Sequence, residues 1–288
     1  MPRFKQVDVF TKVRYAGNPV AVIYDADDLT TAQMQSIANW TNLSETTFVL
    51  RPTSSHASYG LRIFTPSEEL PFAGHPTLGT AHALLEDGII TPVDGKVYQE
   101  CKAGLVAITV GQDNSSDGLS FELPYHHFTP ILDAARKEVE ATLGKKAVGV
   151  PVLIETGPKW AVFEFASGQD VLDLNIDLGR ILEISSANGW TGIGVFGKHE
   201  ASGLVELRNI APGTGVPEDP ACGSGSGAVG AYLSSKHADA GVGSVEITQG
   251  SPIGRDAKIL VRIDESGDEL KIHVGGHAIT CFEGTYSI

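Results

Sequence analysis

The stretch PEDPACGSGSGAVGAYL, which begins at Pro217, sets two carboxylates and one thiol directly before glycines that alternate with serines. Residues of these types could cradle a phosphate, supply a cysteine nucleophile or pass protons. A dinucleotide fingerprint must follow a hydrophobic strand and open a crossover helix, and a P-loop needs Lys before its Ser or Thr. Neither context is present, and Glu218 and Asp219 would repel a phosphate placed beside them. A single carboxylate held by helix-start amides is compatible with the stretch. Ordinary roles also fit each residue: Asp219 of Asp-Pro as a turn former, Ser224 as a helix cap and Cys222 as a small buried side chain. A helix start lowers a thiol pKa, so an acid or base role for Cys222 stays open.

Short strands must position such side chains. The pattern of β-branched and aromatic runs bounded by Gly, Pro, Asp or Asn predicts strands at 6–11, 19–24, 45–50, 59–64, 105–110 and 119–123. A second set follows from residue 152, at 160–165, 192–196, 204–210, 245–247, 258–263 and 270–274. Helices are expected at 31–40, 77–85, 131–143, 178–186 and 225–235. The two halves repeat one another. Leu61-Arg62, Pro66 and Pro71 recur at the same internal spacing as Leu207-Arg208, Pro212 and Pro217. GNPVAVI from Gly17 matches GPKWAVF from Gly157 in the same way. Gly74 and Gly223 are then counterparts, the second half carrying three extra residues before its glycine. The helices after them are rich in small apolar residues, as helices buried on every side are. The expected fold is α+β: two similar lobes related by a pseudo-two-fold, each a curved, mostly antiparallel sheet wrapped around a central helix. Their expected limits are 1–125 and 130–278, with the tail 279–288 packing back onto the first lobe. Two such helix starts facing one another would form an anion site.

With 288 residues, an apolar fraction of 42%, and 33 glycines and 15 prolines spread along the chain, a folded globular protein is expected. A net charge of -14 without a basic stripe argues against nucleic acid and anionic membranes and for small-molecule or protein partners. Cys101, Cys222 and Cys281 have no spacing that closes a metal site and read as reduced thiols of a cytoplasmic protein. No signal-peptide core or membrane-length apolar run is seen.

The blocks VDVFTKVRYAGNPVAVI, NLSETTFVL, RIFTPSEELPFAGHPTLGTAHALL, VPEDPACGSGSGAVGAYL and ITQGSPIGR together resemble the PhzF-like isomerases of phenazine biosynthesis, within the diaminopimelate epimerase-like superfamily. The resemblance implies an active site between two lobes, commonly a homodimer, and proton transfer on a carboxylated substrate, aromatic or cyclic, with no cofactor or metal. It places the catalytic glutamate on Glu45, the histidine on His75, and the aspartate and serine on Asp219 and Ser224. On position alone Glu45 reads as a strand residue and His75 as a helix cap. Glu45 would carry the proton, with His75 and Asp219 orienting substrate or relaying it. The Gly74 and Gly223 helix starts and Ser224 would bind the substrate carboxylate. Racemases of the superfamily use two thiols, and here Cys222-Gly223 is matched by Ala73-Gly74, which excludes that chemistry. The Glu45 counterpart falls near Thr191. Two alternatives are an epimerase using Glu45 and Cys222 as unlike bases, and a noncatalytic small-molecule-binding protein. The family tail after Gly254-Arg255 departs to Asp256 and Ala257, leaving a role for Arg255 open.

Overall fold

The computed structural model describes residues 2–111, 118–236, 243–264 and 270–287. The chain opens with β1 (Arg3–Val9), β2 (Asn18–Ile23), α1 (Thr31–Thr41), β3 (Glu45–Leu50), β4 (Tyr59–Phe64), β5 (Glu69–Leu70) and α2 (Gly74–Glu86). It continues through β6 (Lys96–Cys101), β7 (Gly104–Val110), β8 (Leu119–Glu122), β9 (His127–Pro130), α3 (Asp133–Leu143), β10 (Val152–Glu155) and β11 (Lys159–Glu164). Then come α4 (Gly168–Leu172), α5 (Leu178–Asn188), β12 (Gly192–Lys198), β13 (Val205–Ala211), β14 (Val216–Asp219) and α6 (Gly223–Lys236). β15 (Ser244–Gln249), β16 (Ala257–Asp264), β17 (Lys271–Gly276) and β18 (Ala278–Thr285) complete it.

Two compact units divide these elements, Met1–Phe121 with Gly275–Ile288, and Glu122–Val274. In the first, β2 is antiparallel to β1 and parallel to β3, and β4 is antiparallel to β3 and β5 and parallel to β6, which pairs antiparallel with β7. β18 flanks β1 on its other side. In the second unit, β10 to β16 repeat that sequence of pairings step for step. Helical crossovers stand at the same places: α1 precedes β3 as α5 precedes β12, and α2 precedes β6 as α6 precedes β15. The stretch expected to join two lobes, near Tyr125–Thr129, contains β9, paired with β10 in the second unit. There His127 is exposed and His126 stacks edge-on against Phe128.

The central strands β2 and β4 of the first unit and β11, β12 and β13 of the second are covered on both faces and buried almost throughout, whereas β16 alternates between buried and exposed residues. In the first unit Ile23, Phe48 and Phe64 pack with Met34 and Ala38 of α1. The opposite face meets α2, where His75 through Ala81, Ala83 and Leu84 are buried. Close approach there depends on Gly79, whose added Cβ would lie 2.4 Å from Val20. In the second unit α3, α4 and α5 cover Ala161, Phe163, Ile193, Val195 and Ile210, while α6 is buried along most of its length.

The repeat extends to side chains. Arg62 donates through Nε and Nη2 to Glu69, both at 2.8 Å, and Arg208 does the same to Glu218 at 2.9 Å. Each bidentate pair ties the short strand after it, β5 or β14, to the long strand before it. The three extra residues of the second half lie inside this hairpin, so the carboxylate is seven positions from its arginine in one unit and ten in the other.

Candidate active site

Glu45 opens β3, directly after a helix whose ends are both closed. Thr30 and Gln33 form a capping box at the start of α1, and Asn42 ends it in the left-handed conformation. The chain is thereby delivered into β3 in one register, with Glu45 opposite Val20 and Thr46 opposite Ala21. Alternation along the strand does the rest. Thr46 turns toward α1, bonding Thr41, whereas Thr47 turns toward α2 and accepts from Thr80 Oγ1 at 2.9 Å. Glu45 shares the Thr47 face and meets His75, with Nδ1 at 3.3 Å from its Oε2.

α2 begins at Gly74, three residues before the expected start, so His75 lies inside the first turn and the helix carries no side-chain cap. The reading of His75 as a cap is therefore corrected. Burial drives the imidazole pKa down to about 3 against a hydrogen bond to the Pro19 backbone. Proline has only a carbonyl to offer, and His75 Nε2 is buried without a hydrogen-bond partner, so the proton sits on Nδ1. His75 is neutral at pH 7, so the 3.3 Å approach of its Nδ1 to Glu45 Oε2 is not an ion pair. Asn18, not singled out beforehand, is fully buried at the start of β2 and accepts from Ser44 Oγ at 3.3 Å, next to Glu45. It lies within the GNPVAVI block, which was used only to align the two halves.

Asp219, Cys222 and Ser224 form a second group. Asp219 closes β14, and its Oδ1 accepts from Ala221 N at 3.0 Å, turning the chain at Pro220. Burial raises this carboxyl to about 6, while hydrogen bonds from Ala221 and Cys222 hold it down. Cys222 N donates to Gln249 Oε1 at 3.1 Å, and Gln249 Nε2 returns a bond of 2.7 Å to the Asp219 carbonyl. Gln249, fully buried, thus brackets the turn from β15, and sequence reading missed it because its partners lie 27 and 30 residues away. Arg255 N closes the following loop on Gly250 O at 2.9 Å. Trp160 Nε1 donates to Ser224 Oγ at 3.0 Å.

The expectation that a helix start lowers the Cys222 thiol is overturned. Burial, then the charge of Asp219, push it well above its ordinary value. Its sulfur accepts from Gly225 N at 3.3 Å, serving as the cap of α6. Three glycines within this helix serve close packing. A Cβ at Gly225, Gly227 or Gly230 would fall 2.2, 2.3 or 2.6 Å from Asn209, Leu123 or Val261. Gly74 faces Phe121 in the same manner, at 2.4 Å. The strand register also moves the Glu45 counterpart from Thr191 to Gly192, which pairs with Trp160 as Glu45 does with Val20. No side chain fits there, since a Cβ would lie 2.2 Å from the Ile210 carbonyl.

Among the described residues no cluster of three or more His, Cys, Asp or Glu could hold a metal ion. No described helix is long and apolar enough to cross a membrane.

A family model for phenazine biosynthesis-like proteins (PhzC-PhzF) matches residues 7–284. A Schizosaccharomyces pombe protein named antisense-enhancing sequence 1 is 45% identical over 288 residues, covering 98% of this chain and 97% of its own. The trans-2,3-dihydro-3-hydroxyanthranilate isomerase of Pseudomonas aeruginosa is 34% identical over 293 residues, with 99% of each chain covered. A crystal structure of the Bacillus anthracis phenazine biosynthesis protein, PhzF family, shares the fold: its TM-score is 0.87 over 100% of this chain and 99% of that one, at 24% identity.

Proposed function

The chain belongs to the phenazine biosynthesis-like protein family and is an isomerase, and from that premise we propose that it shifts a hydrogen on a small carboxylated metabolite by acid/base catalysis without a cofactor. The observation that carries the reading is the Glu45 carboxylate set 3.3 Å from a buried histidine. A histidine held neutral down to about pH 3 does not compete for the proton that Glu45 handles. Glu45 removes a proton from a substrate carbon, the electron pair moves into the neighbouring double bond, and the same carboxyl returns the proton at the far end. Atoms and electrons balance with no redox partner. The buried lone pair of His75 Nε2 accepts from a substrate N–H or O–H. Asp219, with a pKa of about 6, completes the catalytic set as orienting group or proton relay near neutral pH. The backbone N–H groups of Gly74 and Gly223 and the Ser224 hydroxyl bind the substrate carboxylate. The proposed setting is the cytoplasm, from the reading of the three cysteines as reduced thiols, and the proposed assembly a homodimer, which the family resemblance implies.

The test is deuterium incorporation from D2O into a panel of cyclic and aromatic amino carboxylates. The panel includes trans-2,3-dihydro-3-hydroxyanthranilate, the compound for which the Pseudomonas aeruginosa relative is named. Glu45→Gln should lower exchange by about a thousandfold while the melting temperature stays close to that of the parent. Full exchange in that variant would sink the assignment. Cys222→Ser, which keeps the cap and the hydrogen bond, should retain exchange. Its loss would restore an epimerase with two unlike bases.

A further inference from the structure

Within the second unit Asn209 of β13 lies directly opposite Asp219 of β14, so both side chains leave the hairpin on the same face. Asn209 is fully buried, and neither Nδ2 nor Oδ1 has a hydrogen-bond partner. The amide occupies space that Gly225 leaves open: a Cβ there would lie 2.2 to 2.5 Å from all three terminal atoms of the carboxamide. Two unfavourable choices, an unsatisfied buried amide and a glycine inside a helix, therefore serve the same side chain.

The repeat supplies an internal control. In the first unit the residue after Arg62 is Ile63, and its partner in the hairpin is Leu70, next to Glu69. In the second unit the residue after Arg208 is Asn209, and its partner is Asp219, next to Glu218. The same framework is built once with an apolar pair and once with a polar one. The fold does not need the amide, which accompanies the carboxyl.

We propose that Asn209 is a positioning residue for Asp219: its carboxamide, which bonds nothing where it stands, shares a hairpin face with Asp219 and turns to donate through Nδ2 to the ionised carboxylate or to accept through Oδ1 from the protonated acid. A carboxyl that takes up and releases a proton needs a neighbour able to bond either form, and a primary amide is such a neighbour. From the turn that leads into α6 the Cys222 thiol faces the same carboxyl, and from β15 the Gln249 amide holds its backbone. The importance of Asp219 rests on the proton-transfer reading above; the pairing itself does not.

Selective ¹³C labelling of aspartate carboxyls, with the Asp219 signal identified by its loss in Asp219→Asn, would follow this group by NMR as a function of pH. Asn209→Leu and Asn209→Ala remove the donor to the ionised form and should raise the Asp219 midpoint by about one unit. Asn209→Ser should recover part of that shift. If Asn209→Leu does not fold, Asn209→Ala carries the measurement. A midpoint unchanged in the folded apolar variants, even with a raised melting temperature, overturns the pairing and leaves an unsatisfied core amide. Full deuterium exchange in Asp219→Asn would instead remove the catalytic reading of Asp219 while a shifted midpoint kept the pairing.

Discussion

His75 and Asp219 are both buried titratable groups, and burial moves them in opposite directions with opposite consequences for stability. For His75 the unfolded imidazole takes a proton at its ordinary value of 6.5, whereas the folded one waits until about 3. Stability is therefore lost through this group as the pH falls across that window. The Asp219 carboxyl, raised from 3.8 to about 6, binds its proton first in the folded chain. Its contribution is present below its unfolded value and lost as the pH rises through about 6. His75→Gln, neutral at every pH, isolates the first effect, because Asp219 is common to both proteins. Urea unfolding at pH 6.5 and pH 4 should show the parent losing about 3 kcal/mol more than the variant. Equal losses would mean that the folded imidazole protonates at its ordinary pKa and is charged beside Glu45 at mildly acid pH.

Among the elements, the two Arg-Glu clamps perform one task in different surroundings. In the second unit the side chains of Arg208 and Glu218 are 6% and 11% exposed, against 25% and 19% for Arg62 and Glu69. Removing Glu218 leaves a buried guanidinium with carbonyl partners only, Val171 and Leu174. Glu218→Ala should therefore cost about 3 kcal/mol, and Glu69→Ala about 1. Chemical denaturation of the two variants checks the order, and a reversed order would show that β14 is not held by its clamp. The repeat behind this comparison was readable from the Arg62/Arg208 and Pro66/Pro212 spacing, although Pro71 answers to Pro220 and not, as the spacing suggested, to Pro217, and β3 and β4 were readable from their β-branched runs. The start of α2 was not, because Pro76 reads as a helix breaker, although in a first turn it removes only a donor that has no helical partner. β6 also escaped notice: its inward residues are Val97 and a buried Gln99, which donates to Thr77 Oγ1, and one polar residue in so short a strand erases the apolar period. The polar bracket from Gln249 and the packing roles of the α6 glycines depend on contacts between residues distant in sequence, which no local pattern encodes.

Across the chain, one framework is used twice and the chemistry is divided unequally over the copies. Glu45 answers to Gly192, Ala73 to Cys222, His75 to Ser224, and the Ile63–Leu70 pair to Asn209–Asp219. In place of two matched thiols, one unit carries Glu45, the base of the proposed proton transfer, and the other the elevated Asp219 carboxyl. Every one of these changes is local, so the bulk electrostatics are set elsewhere, by 35 acidic against 21 basic residues. The carboxylated substrate proposed above would approach a chain of charge -14, and in dilute buffer that repulsion reaches far from the surface. Raising ionic strength from about 10 mM to about 150 mM shortens the screening length from about 30 Å to about 8 Å. The long-range repulsion is then removed, while hydrogen bonds to bound substrate are little affected. For a carboxylated substrate kcat/KM should consequently rise about twofold over this range, with kcat unchanged. The uncharged methyl ester of the same compound, followed by deuterium exchange, should show no such rise. A kcat/KM that falls with salt would mean that a local positive field from helix-start amides and nearby cations outweighs the net charge of the chain.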